Sequence, residues 1–306
     1  MARWLLAGLV AIFSTVALPQ GFPDRPVKIV VPLTPGGSPD TIARAIAAGL
    51  QGVWTQAVVV ENRPGGSQNI GSDIVAKSAP DAHTWLLAPD NVFSVNPHLG
   101  KQPFDPLADF IPVTQLARIQ FLLVIHPSLP VSSVGEFVAY AKARPGELNH
   151  GSSGNGSPQH LGAAMFQLLT GTKMNHVPYK GAAPAVADLL PGRIQVWIGA
   201  ANTLLPHIKE GKLRLLGDTP TIAQTVPGYA LDPWLGLFVP AKTPMPLVEK
   251  VHSDVTKIVN APELKSRLAA QGIMIDTNSP ADFARFIRED HARWGKVIKE
   301  AGIKGE

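Results

Sequence analysis

The chain contains no cysteine. Disulfides, thiolate metal sites and thiol nucleophiles are therefore excluded, and a hydrophobic core is all that can hold the fold together. Charge is also scarce. Only 16% of the 306 residues are Asp, Glu, Lys or Arg, and the formal net charge is +4. So thin a distribution, without runs of one sign, builds no basic face for nucleic acid. Long apolar runs are missing too. The N-terminal stretch Trp4 to Phe13 falls short of the roughly 20 apolar residues that a membrane helix needs. With Arg3 before it and Thr15-Val16-Ala17 after it, the stretch reads as an export signal over residues 1–17. Cleavage there removes Arg3 and leaves 26 basic against 23 acidic residues, or +3. An exported chain without cysteine points to a bacterial periplasm.

The strong catalytic signatures are absent as well. Neither glycine-rich loop carries the lysine of a phosphate-binding loop, Gly154-Asn155-Gly156 lacks the third glycine of a dinucleotide fingerprint, and no serine stands between glycines in a nucleophile elbow. The nine histidines are scattered, without metal spacing. No cofactor and no metal are expected. The remaining enzymatic reading is a secreted hydrolase using His160 with Ser157 or Asp40, against which stands a structural histidine near a helix start.

What is present is a pair of similar loops, Pro35-Gly36-Gly37-Ser38-Pro39-Asp40 and Gly154-Asn155-Gly156-Ser157-Pro158-Gln159. Each follows an apolar strand-like run and precedes a helical pattern, Ile42/Ala45/Ile46/Leu50 in one and Leu161/Ala164/Met165/Leu168 in the other. Serine is a good N-cap, proline suits the first helical turn, and glycines leave backbone amides bare. Two helix N-termini with exposed donors are ready anion sites.

The elements alternate in βαβ order, which predicts α/β folding in two doubly wound lobes. Lobe one is expected over residues 18–125 and 240–306, lobe two over 126–239, with a two-crossing hinge near His126 and Val239. The ligand cleft then lies between the carboxyl ends of the strands. The cleft loops offer amides and neutral polar groups, an inventory that suits a small carboxylate. Lys180 is the cation placed on a cleft loop of lobe two.

Several motifs carry a family resemblance. Val31-Pro32-x-x-Pro35-Gly36-Gly37-x-x-Asp40, Val60-Glu61-Asn62-Arg63-Pro64-Gly65, Asn69-Ile70-Gly71, Gly154-x-Gly156-Ser157-x-x-His160-Leu161, His176-Val177-Pro178-Tyr179-Lys180-Gly181 and Leu205-Pro206-His207-Ile208 resemble the TctC/Bug solute-binding proteins of tripartite tricarboxylate transporters. The resemblance implies a type II periplasmic-binding-protein fold that closes like a Venus flytrap, and a periplasmic, non-catalytic receptor that delivers a carboxylate to membrane transporter subunits. A related role is a sensor presenting its loaded form to a signalling kinase. A monomer is expected. On the family pattern, Pro35, Gly36, Gly37, Ser38, Ser153, Gly154, Asn155, Gly156 and Ser157 flank the carboxylate. Asn69 lies near it, Lys180 and Gly181 stand on a cleft loop of lobe two, and Phe93 either packs on the ligand body or belongs to the core. Relatives often carry a polar pair where this chain has Gly199-Ala200, which disfavours an amino-acid ligand and favours an apolar or aromatic body.

Overall fold

The computed structural model describes residues 21–301; the expected export signal lies outside the described residues. Two sheets organise the chain. The first is built from β1 (Val27–Val31), β2 (Val58–Asn62), β3 (Thr84–Pro89), β4 (Phe110–Ile119), β10 (Trp234–Pro240) and β11 (Ile273–Ile275), in the order β11-β4-β10-β3-β1-β2. The second is built from β5 (Phe121–Ile125), β6 (Asn149–Ser152), β7 (Asn175–Pro178), β8 (Val196–Ala200) and β9 (Arg214–Asp218), in the order β7-β6-β8-β5-β9. Strands β1, β2 and β3 run parallel, as do β6, β7 and β8, whereas β10 and β5 each pair antiparallel with both neighbours.

The first sheet is dressed by α1 (Ser38–Gln51), α2 (Asn69–Ala76), the short turns α3 (Asn91–Ser94) and α4 (Asn96–Leu99), α10 (Met245–Val259), α11 (Pro262–Ala269) and α12 (Pro280–Ala301). The second carries α5 (Val134–Lys142), α6 (Pro158–Thr170), α7 (Ala182–Leu189), α8 (Ala201–Lys209) and α9 (Thr219–Thr225). Each helix buries one stripe. In α1 that stripe is Ile42, Ala43, Ile46, Ala47 and Leu50, and it packs on β1 and α10. In α12 it begins at Phe283 and Ile287, which join Val30, Leu86 and Phe238 on the other face of the sheet. The central strands are buried on both faces, which is why β1 reads as a nearly unbroken apolar run rather than an alternating one. None of the described helices is long and apolar enough to cross a membrane.

The hinge sits elsewhere than expected. Strand β5, placed by sequence in lobe one, belongs to the second sheet, and β10, placed in lobe two, belongs to the first. The chain crosses at Gln120, between β4 and β5, and returns between α9 and β10. The two crossings lie side by side, since Ile119 N–H donates to Pro233 O at 2.9 Å. Hydrophobic periodicity did not reveal this, because β4 and β5 are both apolar and only one residue separates them. A change of sheet leaves no mark in a period-two pattern.

Candidate functional site

Four helices begin at one place between the lobes. A cavity of about 50 Å³ is bounded by Gly37, Ser38 and Pro39 at the start of α1, and by Ser157, Pro158 and Gln159 at the start of α6. Ala182 at the start of α7 and Ala200 and Thr203 at the start of α8 complete the ring. First-turn amides have no acceptor within their own helix, and their aligned dipoles place partial positive charge there. Among the described residues, the amides of Ser38, Gln159, Ala182 and Asn202 find no acceptor elsewhere in the protein. The floor is apolar, formed by Leu33, Ile119, Phe121, Trp234 and Leu235. None of the lining residues has a charged side chain. A space of this kind, a few water volumes in size, can solvate an anion with dipoles alone.

Three side-chain oxygens at the cavity are buried without a partner: Thr34 Oγ1, Asn91 Oδ1 and Gln159 Oε1. Buried polar atoms are normally satisfied, so these three leave the cavity with free acceptors for water or a ligand's donors. Gln68 also lines the cavity and is held there by a left-handed turn, with φ of 50° at Ser67 and 74° at Gln68. Left-handed conformations are uncommon outside glycine, and two in succession need support. Here the support is Ser72 Oγ, which donates to Gln68 O at 2.9 Å, and Asn91 Nδ2, which donates to Gln68 Oε1. Of these lining groups, Thr34, Gln68, Asn91 and Gln159 were not singled out from sequence, although each stands within two residues of a position or loop that was.

The residues expected at the site separate. Gly37, Ser38, Ser153, Ser157 and Ala200 line the cavity. Pro35 and Gly36 are exposed on its outer side, and the Gly36 amide is taken by Asp40 Oδ2 at 3.0 Å. Ser38 does not cap α1. Gly37 holds the N-cap position, and Ser38 Oγ instead reaches across the cleft to donate to Asn202 Oδ1 at 2.6 Å, so the two lobes meet in a closed arrangement. Gly181 also sits at this meeting point, against Thr34. Ser157 does cap α6, accepting from His160 N–H at 3.4 Å. Asn69 and Asn155 line a neighbouring polar space. Lys180 is exposed and outside the cavity lining.

Phe93 and Gly199 have packing roles rather than places at the ligand. Phe93 is a core residue, fully buried, stacked on Phe238 at 3.8 Å and edge-on to Phe110. Gly199 faces the indole of Trp197, where a Cβ would come within 1.7 Å of Nε1, so it makes room for packing rather than for a ligand.

The second loop is braced from beneath. Gly154 and Gly156 have φ of 120° and 71°, conformations that glycine alone adopts freely. The Gly156 amide donates to His160 Nδ1 at 3.1 Å, and Ser152 Oγ bonds both backbone groups of Gly154 and meets His176 Nε2 at 2.6 Å. The His160 ring stacks on His176 at 4.0 Å, and His176 stacks on His150 at 5.0 Å. Burial and the neighbouring rings push His150 down to about 4 and His176 to about 3, so both are neutral at pH 7. His160 thus accepts a backbone bond and supports the loop, which leaves it unsuited to activating Ser157. Among the described residues no cluster of histidine and carboxylate side chains is placed to hold a metal.

In the first loop, burial raises the Asp40 carboxyl, but Arg44, the Gly36 amide and Asn62 together hold it below its usual range. Arg44 Nε donates to Asp40 Oδ2 at 3.0 Å. The start of α1 therefore already carries a paired anion of its own. The starts of α6, α7 and α8 have no acidic residue in the first turn, so the second lobe supplies most of the free positive potential.

Known proteins resemble this chain in sequence and in fold. A family described as "Tripartite tricarboxylate transporter family receptor", TctC, matches residues 42–303. Protein BugT of Bordetella pertussis is 34% identical over 325 residues, covering 99% of each chain. Among solved structures, Rpa4515 of R. palustris with adipate superposes with a TM-score of 0.90 at 36% identity, covering 93% of this chain and all of the other. MatC from Rhodopseudomonas palustris with bound malate gives 0.85 at 28% identity, covering 90% of this chain and all of the other.

Proposed function

The chain belongs to the TctC family of tripartite tricarboxylate transporter receptors, and from that premise we propose that it captures a small organic carboxylate between its lobes in the periplasm and presents the closed form to membrane transporter subunits. This is a family of receptors rather than enzymes. The observation that supports the reading best is the ring of four helix starts around a cavity without a charged side chain. Hydrogen bonds to a charged partner contribute about 1.5–3 kcal/mol each. Three or four from amides such as those of Ser38, Gln159 and Ala182 offset the ordering costs of closure and sustain a micromolar complex, which needs about −8 kcal/mol. Relatives bound to adipate and malate support an acid as the ligand class.

The test is a thermal-shift and calorimetric screen of the purified protein against a broad panel of carboxylates, followed by solution scattering with the best binder. Stabilisation and a compacted particle are expected. A panel in which no acid shifts the melting point or changes the radius of gyration would overturn the proposal.

A further inference from the structure

The lobes also meet on the outer surface. A groove of about 550 Å³ lies between α6 of the second lobe and α12 of the first. Its walls are Leu161, Ala164, Met165 and Leu168 of α6 and Trp294 and Val297 of α12. Leu161 and Trp294 are buried in one apolar cluster with Val95 and Ile298, and Leu99, Met165 and Val297 pack against it. The members of that cluster come from both lobes, so the groove is one continuous surface only while the lobes are shut. Leu168 is 66% exposed, and Leu169 beside it is exposed as well. A surface leucine standing alone needs no explanation, but this pair continues an apolar groove, and contiguous apolar surface marks sites of interaction.

The groove is tied to the cavity at the helix starts. Trp234, on the floor of that cavity, donates from Nε1 to Asp290 Oδ2 at 3.0 Å. Arg293 Nε donates to Asp290 Oδ1 at 3.1 Å, and the Arg293 guanidinium lies 5.2 Å from the ring centre of Trp294. One turn of α12 therefore joins the floor of the ligand space to the wall of the groove. The polar groups here are few and of one kind. Trp294 is only 5% exposed, and its Nε1 is buried without an acceptor. Lys173 is the one charged lining residue, and α6 carries no Asp, Glu, Lys or Arg. A partner that covers this groove must bring an acceptor for the indole N–H and an anion for Lys173 besides its apolar surface, because unpaired donors are costly once water is excluded. A second copy of this chain does not meet that need. A two-fold contact through the groove would set a second Lys173 in the interface and bring no acid among the lining residues.

We infer that the α6–α12 groove is the surface by which the closed receptor docks on the transporter's membrane subunits, through a periplasmic segment of theirs that presents apolar side chains beside a carboxylate. The inference rests on the receptor reading above and adds to it the surface that distinguishes the loaded form from the empty one.

The experiment measures binding of the receptor, with and without a saturating amount of the best acid from the carboxylate panel, to the cognate transporter's membrane subunits held in lipid nanodiscs. It is run on the native protein, Leu168→Glu, Lys173→Glu and, as a control, Val53→Glu, since Val53 is also 66% exposed but lies outside the groove lining. Melting curves and calorimetry with the acid confirm that each variant is folded and still binds its ligand. The loaded native receptor should bind the subunits more tightly than the acid-free one. Leu168→Glu should weaken that binding about tenfold or more, as loss of one central apolar contact does. Lys173→Glu should weaken it too, most at low salt, and Val53→Glu should match native. Native binding in both groove variants, equal binding with and without the acid, or no binding of a loaded native receptor overturns the docking surface while leaving ligand capture intact. Light scattering that shows the loaded protein as a dimer, split by Leu168→Glu, would assign the groove to a second copy and overturn it as well. Failure of every acid in the panel to bind would instead remove the receptor reading, and this inference with it.

Discussion

Closure can be blocked by a single methyl group. Gly181 lies at the start of α7 in the second lobe, and a Cβ built on it would stand 2.0 Å from Thr34 Oγ1, 3.1 Å from Thr34 Cβ and 3.1 Å from Thr34 N, all in the first lobe. Its φ of 162° is extended backbone that any residue adopts, so Gly181→Ala introduces no conformational strain of its own. The hydroxyl of Thr34 can rotate away, but the Cβ and amide contacts remain and force the lobes apart by a few tenths of an ångström. Overpacking of this kind costs about 1–3 kcal/mol. The cost falls only on the closed form, so it reduces the fraction competent to hold ligand and weakens apparent affinity about 5- to 150-fold. The assay is titration of the best-binding acid into both proteins, with the melting point of each free protein as control. Gly181→Ala should bind more weakly with a ligand-free melting point within about 2 °C of native, because a 1 kcal/mol change in the open form of a chain this size already shifts it by that much. Native affinity in the variant would refute the view that Gly181 and Thr34 meet when ligand is held.

Other consequences follow from the same packing. His150 and His176 have depressed values in the fold, so below about pH 6.5 the unfolded chain takes up protons that the native state refuses, and stability falls with pH down to about 4 and 3. At 1.36 kcal/mol per pH unit, His150 alone accounts for a loss of about 3 kcal/mol between pH 6.5 and 4; urea unfolding at pH 7 and pH 4.5 measures it, and His150→Gln should flatten the slope. Phe93→Ala should cost about 3–5 kcal/mol of stability and leave the ligand affinity of the folded fraction unchanged; a selective loss of binding would return Phe93 to the ligand. Ser38→Ala removes the interlobe bond to Asn202, worth about 0.5–1.5 kcal/mol, and titration should show affinity weakened about 2- to 10-fold. Asp40→Asn removes the negative charge at the start of α1 and should tighten anion binding a few-fold at low salt, by about 0.3–1 kcal/mol, an effect that 0.5 M salt should suppress.

Much of this was legible in the residues, and the failures have physical causes. The Gly-Ser-Pro pairs announced two helix starts because proline and glycine act locally, whatever the tertiary context. The same pairs misled about Ser38. Its hydroxyl is as close in sequence to the first-turn amides as that of Ser157, and the partner that wins, Asn202, lies 164 residues away. Phe93 was ambiguous because an aromatic after a strand end looks the same whether it meets Phe238 or a ligand. Gln68 and Asn91 were passed over because neither forms a motif; their roles arise from a left-handed turn and from contacts between separate loops. Residues whose function is set by neighbours along the chain could be read, whereas those set by neighbours across the cleft could not.

The lack of charged side chains around the cavity bears on how a ligand would be released. A buried arginine would hold a carboxylate through two parallel bonds, but when the ligand left it would remain as a desolvated, unpaired charge. Backbone amides at helix starts carry only partial charge. In the open form water satisfies them at little cost, so the empty and loaded receptors are closer in free energy. Asp40 reinforces this balance. It occupies the Gly36 amide and is itself paired with Arg44, so the first lobe offers the anion less than the second. On the proposed function, an acid would be gripped mainly by the starts of α6, α7 and α8, all on one lobe, while the first lobe adds the Ser38–Asn202 contact and the apolar floor. Such a division predicts that the ligand docks on the second lobe before closure and that opening of the first lobe releases it; a ligand affinity unchanged by Ser38→Ala would count against that order.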